Sequence, residues 1–129
     1  LRVVEFNVEW LFLEEPGDPT KRCPGTGCKW ENQTIAVEHL KEIAGFMKTM
    51  NADIIVFIEL EDCYVLEYLI DALPGMGYKG YVLKGTDTAT MQNVGIMTRV
   101  DPLVDLERTA DRVEYPVSGN TCNYNGNSG

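Results

Sequence analysis

Residues Asn51–Asp62 read NADIIVFIELED, and the rest of the chain is organised around them. Five apolar residues, Ile54 to Ile58, follow a turn-forming Asn51, and Glu59, Glu61 and Asp62 come at once behind them. A short apolar run bounded by a turn signal predicts a strand buried on both faces. Glu59 stands where that strand emerges, and a carboxylate there needs solvent, a cation or a hydrogen-bond donor. It is either the first solvated residue of a loop or a functional carboxylate at a strand end.

Immediately upstream, Thr34 to Met50 carries Ala36, Leu40, Ile43, Met47 and Met50 at helical spacing, one apolar stripe. Asn32 or Thr34 can cap its start and Asn51 its end. The two methionines read as core filling, and His39, beside the stripe, as a boundary residue. Downstream, Val65, Leu66, Leu69, Ile70 and Leu73 predict the inner face of a second helix, with Asp62 as its cap and Pro74-Gly75-Met76-Gly77 as its stop.

At the start of the chain, Leu1–Trp10 reads as a strand. Val4, Phe6, Val8 and Trp10 share one face, and Val3, Glu5, Asn7 and Glu9 the other. Strand, helix and strand in about sixty residues predict a crossover unit with both strands in one sheet. Asn7 and Glu9 then lie at a strand end, placed to converge with Glu59. Further strands are expected at Tyr78–Lys84 and Gln92–Arg99, with weaker candidates at Leu103–Arg108 and Arg112–Val117. Residues 118–129, SGNTCNYNGNSG, read as a loop-like tail.

Glu14–Gln33 is a long connection rich in proline and glycine, and such loops are usually functional or tied down. Cys23 and Cys28 bracket Pro24-Gly25-Thr26-Gly27 and could close a small ring. Zinc fits that spacing poorly, because no partner Cys/His pair accompanies it. The four cysteines, with Cys63 and Cys122, allow three pairings. Asn32-Gln33-Thr34 is a glycosylation sequon. These features point to a secreted or extracellular protein. The first residue is Leu1 rather than Met, so a processed or excised chain is expected, its signal segment, if any, removed.

The 129 residues suffice for one domain with a core, and 44% hydrophobic with 24% charged residues is the composition of a globular protein. No apolar run is long enough for a membrane helix. A net charge of −9 argues against binding nucleic acid through a broad basic surface. It leaves room for an acidic site that meets a polyanion through a divalent cation.

Three segments together resemble the endonuclease/exonuclease/phosphatase superfamily. LRVVEFNVEWLF from Leu1 is similar to its first strand with a strand-borne Asn. ADIIVFIELED, Ala52–Asp62, is similar to its second motif, ending in Glu. QNVGIMTRVDP, Gln92–Pro102, is similar to a later strand. The resemblance implies a four-layer α/β sandwich, two mixed sheets face to face with helices outside. Residues 1–129 would supply its N-terminal half, about one mixed sheet plus flanking helices. The other half would come from a continuation or a separate chain.

It also implies divalent-metal-dependent phosphodiester hydrolysis, most naturally by a secreted nuclease acting on nucleic acid. Mg²⁺ or Mn²⁺ would be the cofactor, and Glu59 would be the metal ligand. Asn7 would orient the catalytic group and the scissile phosphate region. Glu9 would be an acidic residue beside the metal, and Asn93 a phosphate contact in the substrate groove. Ile58 departs from the pattern, since many members have Gln there. The family's mid-domain His, Asp-x-Asn segment and terminal Asp-His pair have no counterparts, so residues 1–129 alone should not turn over. A phosphomonoesterase or lipid phosphodiesterase of the same family is the alternative, as is a non-catalytic secreted binding module.

Overall fold

The computed structural model describes residues 1–13 and 32–108. Six elements follow in order: β1 (Val3–Leu11), α1 (Gln33–Met50), β2 (Ile54–Leu60), α2 (Cys63–Asp71), β3 (Lys79–Val82) and β4 (Asn93–Thr98). The fold class is therefore α/β, with one mixed four-stranded sheet of order β1-β2-β4-β3 and two helices. β1 and β2 run parallel, joined across α1 as the crossover reading predicts, while β4 is antiparallel to both β2 and β3.

Local chemistry sets the helix limits. Asn32 Oδ1 accepts the Ile35 N–H at 3.1 Å, and Asn51, in the left-handed region at φ 45°, closes α1 by donating its N–H to Met47. Asp62 Oδ1 accepts the Tyr64 N–H at 2.9 Å and starts α2. The predicted stripe of α1 is buried at Ala36, Leu40, Ile43 and Met47, and α2 buries Val65, Leu66 and Leu69. They meet Val8, Leu11, Ile55, Phe57, Leu60 and Met97 in one core. α2 sits close to the sheet: a Cβ on Gly95 would lie 3.3 Å from Leu66 Cδ1, and one on Gly80 would lie 3.2 Å from Leu66 Cβ and from Ile70 Cδ1. Glycine at both places admits the helix.

Both helices pack on one face. The opposite face, set by register, carries Val3, Ile54, Val56, Ile58, Val94, Ile96 and Tyr81. Val3 and Val94 there are more than half exposed. Six of these seven side chains are β-branched, and both described helices lie on the other side of the sheet.

Several expectations change at this level. Leu103–Arg108 forms no strand: Leu103 is 100% exposed and Val104 77%, and among the described residues no strand supplies a ladder for them. The alternation assigned to Leu1–Trp10 ends at Val8, because Glu9 and Trp10 both take positive φ, 48° and 58°. Trp10 therefore leaves the face of Val4, Phe6 and Val8, and Leu11 takes the inward place. Arg112–Val117, the tail 118–129, the Cys23–Cys28 ring and Cys122 lie outside the described residues. Cys63 is a free, exposed thiol.

Candidate functional site

β1 and β2 are parallel, so both end at the same side of the sheet, and antiparallel β4 begins there. Their pairing breaks at this end. β1 advances from Asn7 to Leu11 while β2 advances only from Ile58 to Leu60, so β1 holds two extra residues. Against β4, β2 advances from Phe57 to Leu60 while β4 spans Gly95 to Asn93, one extra residue on β2. Such bulges reverse the side-chain alternation and re-aim a residue. On strict alternation from Phe57, Glu59 would enter the core and Leu60 would leave it. The bulge, with Glu59 at φ 65°, buries Leu60 completely and keeps the carboxylate half-exposed.

Left-handed non-glycine residues cluster here. Glu9, Trp10, Glu59 and Met91 all have positive φ, and each such conformation costs about 1–2 kcal/mol. Strain of this kind concentrates where a chain is held for function.

Asn7 and Glu59 come together as expected. Asn7 Nδ2 donates to Glu59 Oε1 at 3.0 Å, and Asn7 Oδ1 accepts the Glu9 N–H at 2.8 Å. A backbone N–H can only donate, so the amide oxygen must face Glu9 and the amide nitrogen must face Glu59. The left-handed turn at Glu9 thus fixes which way the Asn7 amide points. Glu59 makes no ion pair among the described residues.

The two remaining candidates land differently. Glu9 is exposed at the same rim, and its backbone N–H, rather than its carboxylate, makes the bond to Asn7. Asn93 Nδ2 donates to the carbonyls of Glu61 and Met91, and its Oδ1 accepts the Gly85 N–H at 2.5 Å. Its amide is thereby engaged in holding three backbone segments together at the start of β4. His39 stays on α1 with its Nδ1 3.9 Å from a Glu42 oxygen.

Glu61 is the residue that pattern reading passes over. An acid in a loop before a helix is expected in water, yet Glu61 is 6% exposed and its Oε2 accepts the Leu13 N–H at 2.7 Å. A period-two count from Ile55 and Phe57 carries position 61 to the inward side, and only its acidic type points it to water.

Among the described residues no group of three or more His, Cys, Asp or Glu side chains gathers around a common point. Glu59, one half-exposed carboxylate held through a single oxygen, suits Mg²⁺ or Mn²⁺, hard ions that keep several waters and substrate oxygens beside one or two carboxylates. Among the described residues no helix is long and apolar enough to cross a membrane. Comparisons with family models, curated proteins and solved structures find no match to this chain.

Proposed function

We propose that this chain carries part of the site of a divalent-metal-dependent phosphodiesterase, a nuclease of the endonuclease/exonuclease/phosphatase type. The observation that supports it is the Asn7–Glu59 hydrogen bond, formed where two parallel strands end together and the backbone is strained. The crevice beyond the carboxyl ends of parallel strands is where α/β sheets bind ligands.

In this reading Glu59 holds Mg²⁺ or Mn²⁺, and the bound ion supplies Lewis-acid stabilisation of phosphoryl and leaving-group oxygens. Asn7 holds Glu59 in one orientation through its amide N–H. Glu9 adds negative charge at the rim, which favours a cation between the chain and a polyanionic substrate. Asn93 acts on substrate only indirectly, by fixing the loop before β4. The apolar face of Val3, Val56, Ile58, Val94 and Ile96, on the side of the sheet away from the described helices, supports the larger architecture, a four-layer sandwich in which a second sheet covers that face. That second half would also bring the remaining catalytic groups. The exposed, helix-capping Asn32 heads a sequon, in keeping with a secreted protein.

The test is hydrolysis by the full-length protein, with Mg²⁺ or with chelator, of DNA, RNA, a phosphoinositide and sphingomyelin. The expected result is Mg²⁺-dependent cleavage of nucleic acid that Glu59→Ala lowers by roughly 10³-fold. Near-normal hydrolysis by that variant would remove Glu59 from the site.

A further inference from the structure

Glu61 presents a physical puzzle. Burying a carboxylate is expensive, and a leucine-sized apolar residue between fully buried Leu60 and the core face of α2 would avoid the expense. The carboxylate holds one backbone donor, and the residue's own backbone makes two further bonds that do not depend on its side chain. Its Oε2 accepts the Leu13 N–H at 2.7 Å, its own N–H donates to the Leu11 carbonyl at 3.2 Å, and its carbonyl accepts from Asn93 Nδ2. One residue thus ties the exit of β1 to the exit of β2 and the entry of β4.

The tie falls just past the register break. Between Asn7 and Leu11 the two extra residues, Glu9 and Trp10 in left-handed conformation, form a bulge that β1–β2 pairing alone does not hold. Leu11 and Leu13 are its downstream anchor, and both are bonded to Glu61. If that anchor slid, the Glu9 N–H would leave Asn7 Oδ1, and the Asn7 amide would lose the contact that aims it at Glu59.

We propose that Glu61 is a positioning residue for the Asn7–Glu59 pair: its buried carboxylate, clamped on the Leu13 N–H, fixes the β1 bulge that orients Asn7. The assignment deepens the metal-dependent site proposed above and rests on it for its catalytic meaning. Its structural content stands on metal-free geometry and can be tested there.

The experiment is NMR on the full-length, metal-free protein and its Glu61→Leu and Glu61→Gln variants. It follows the Asn7 side-chain amide protons, the exchange of the Leu13 N–H, and the exchange of the Ile96 and Met97 N–H groups as a control on the fold. Glu61→Leu is expected to speed Leu13 exchange at least tenfold and to move the Asn7 side-chain amide upfield as its bond to a carboxylate is lost. Glu61→Gln, which retains an acceptor oxygen, is expected to keep the wild-type Asn7 signal, and β4 should stay protected in both. A role confined to local packing would change Leu13 exchange and leave Asn7 where it is, and that result would overturn the proposal. So would a Gln variant whose Asn7 signal matches that of the Leu variant. Mg²⁺ added to the wild type separates the two readings: an unresponsive Asn7 amide counts against the metal site, while the metal-free comparison still decides Glu61.

Discussion

Where β2 begins, Asp53 is surrounded by donors. Arg99 Nε reaches its Oδ1 at 3.0 Å and the Arg2 N–H reaches its Oδ2 at 2.6 Å, while Arg99 also bonds the Asn51 side chain and carbonyl. Tyr78 completes that end by donating its hydroxyl to the Ala52 carbonyl at 2.6 Å. Where β2 stops, six residues later, Glu59 is met by the Asn7 amide and makes no ion pair among the described residues. The first end has one left-handed non-glycine residue, Asn51, in its ordinary role as a helix cap, and the second has four. Both ends belong to the same strands, so the difference is not one of fold. One end spends its polar groups on each other, and the other holds a carboxylate in a strained backbone with its charge uncompensated. The first arrangement stabilises, and the second leaves a carboxylate without a cationic partner among the described residues, in keeping with the cation site we propose.

The sharpest way to break this contrast is Glu59→Ala. If the exit end exists for chemistry, hydrolysis by the full-length protein falls by roughly 10³-fold. Its stability should stay within about 0.5 kcal/mol, as for an ordinary surface change. A large loss of stability, measured by denaturant unfolding, would make Glu59 a structural residue like Asp53.

The adjacent position should behave in the opposite way. Leu60 is fully buried only because the chain slips at Glu59. Leu60→Ala is therefore expected to lower stability by about 2–5 kcal/mol, the usual loss for a large core residue. A loss below about 1 kcal/mol would mean that regular alternation persists through Glu59 and that the bulge is not held in solution.

These neighbours also mark what could be read in advance. The helices, their caps at Asn32, Asn51 and Asp62, and the parallel pairing of β1 with β2 follow from local chemistry and hydrophobic spacing, which the sequence displays directly. So does the meeting of Asn7 with Glu59, because parallel strands must end on the same side. The bulges could not be read by simple alternation, since a period of two assumes the register never slips. That assumption set Trp10 with Val4, Phe6 and Val8, while the acidic type of Glu61, ahead of a helix cap, made it read as loop. Asn93 is expected as a phosphate contact through the resemblance of QNVG to the family's strand, and the bonds its amide makes to Glu61, Met91 and Gly85 depend on segments distant in sequence, which no local pattern displays. Leu103–Arg108 has apolar residues but, among the described residues, no strand to pair with, and pairing is a property of the whole sheet.

At the entry end, Tyr78→Phe removes one hydroxyl and leaves the buried Ala52 carbonyl without that donor. A loss of about 1–2 kcal/mol is expected, with hydrolysis unchanged. Reduced turnover at full stability would show that the two ends communicate, and the division between them would have to be redrawn.

The smallest effect is in the acid limb of stability. The Arg2 N–H and then the Arg99 guanidinium hold the Asp53 carboxyl below its ordinary value of 3.8. A carboxyl whose folded pKa is depressed stabilises the fold fully above its unfolded pKa and loses that contribution as the pH falls through the lowered folded value. Asp53 is thus expected to add stability at neutral pH and to release it only below 3.8. Asp53→Asn should be less stable than the wild type at neutral pH, and the gap should narrow as acid protonates the wild-type carboxyl. Thermal unfolding of both proteins across that range measures it. Parallel curves would mean that the Arg2 and Arg99 contacts do not persist in solution, and the entry end would then be no better paired than the exit.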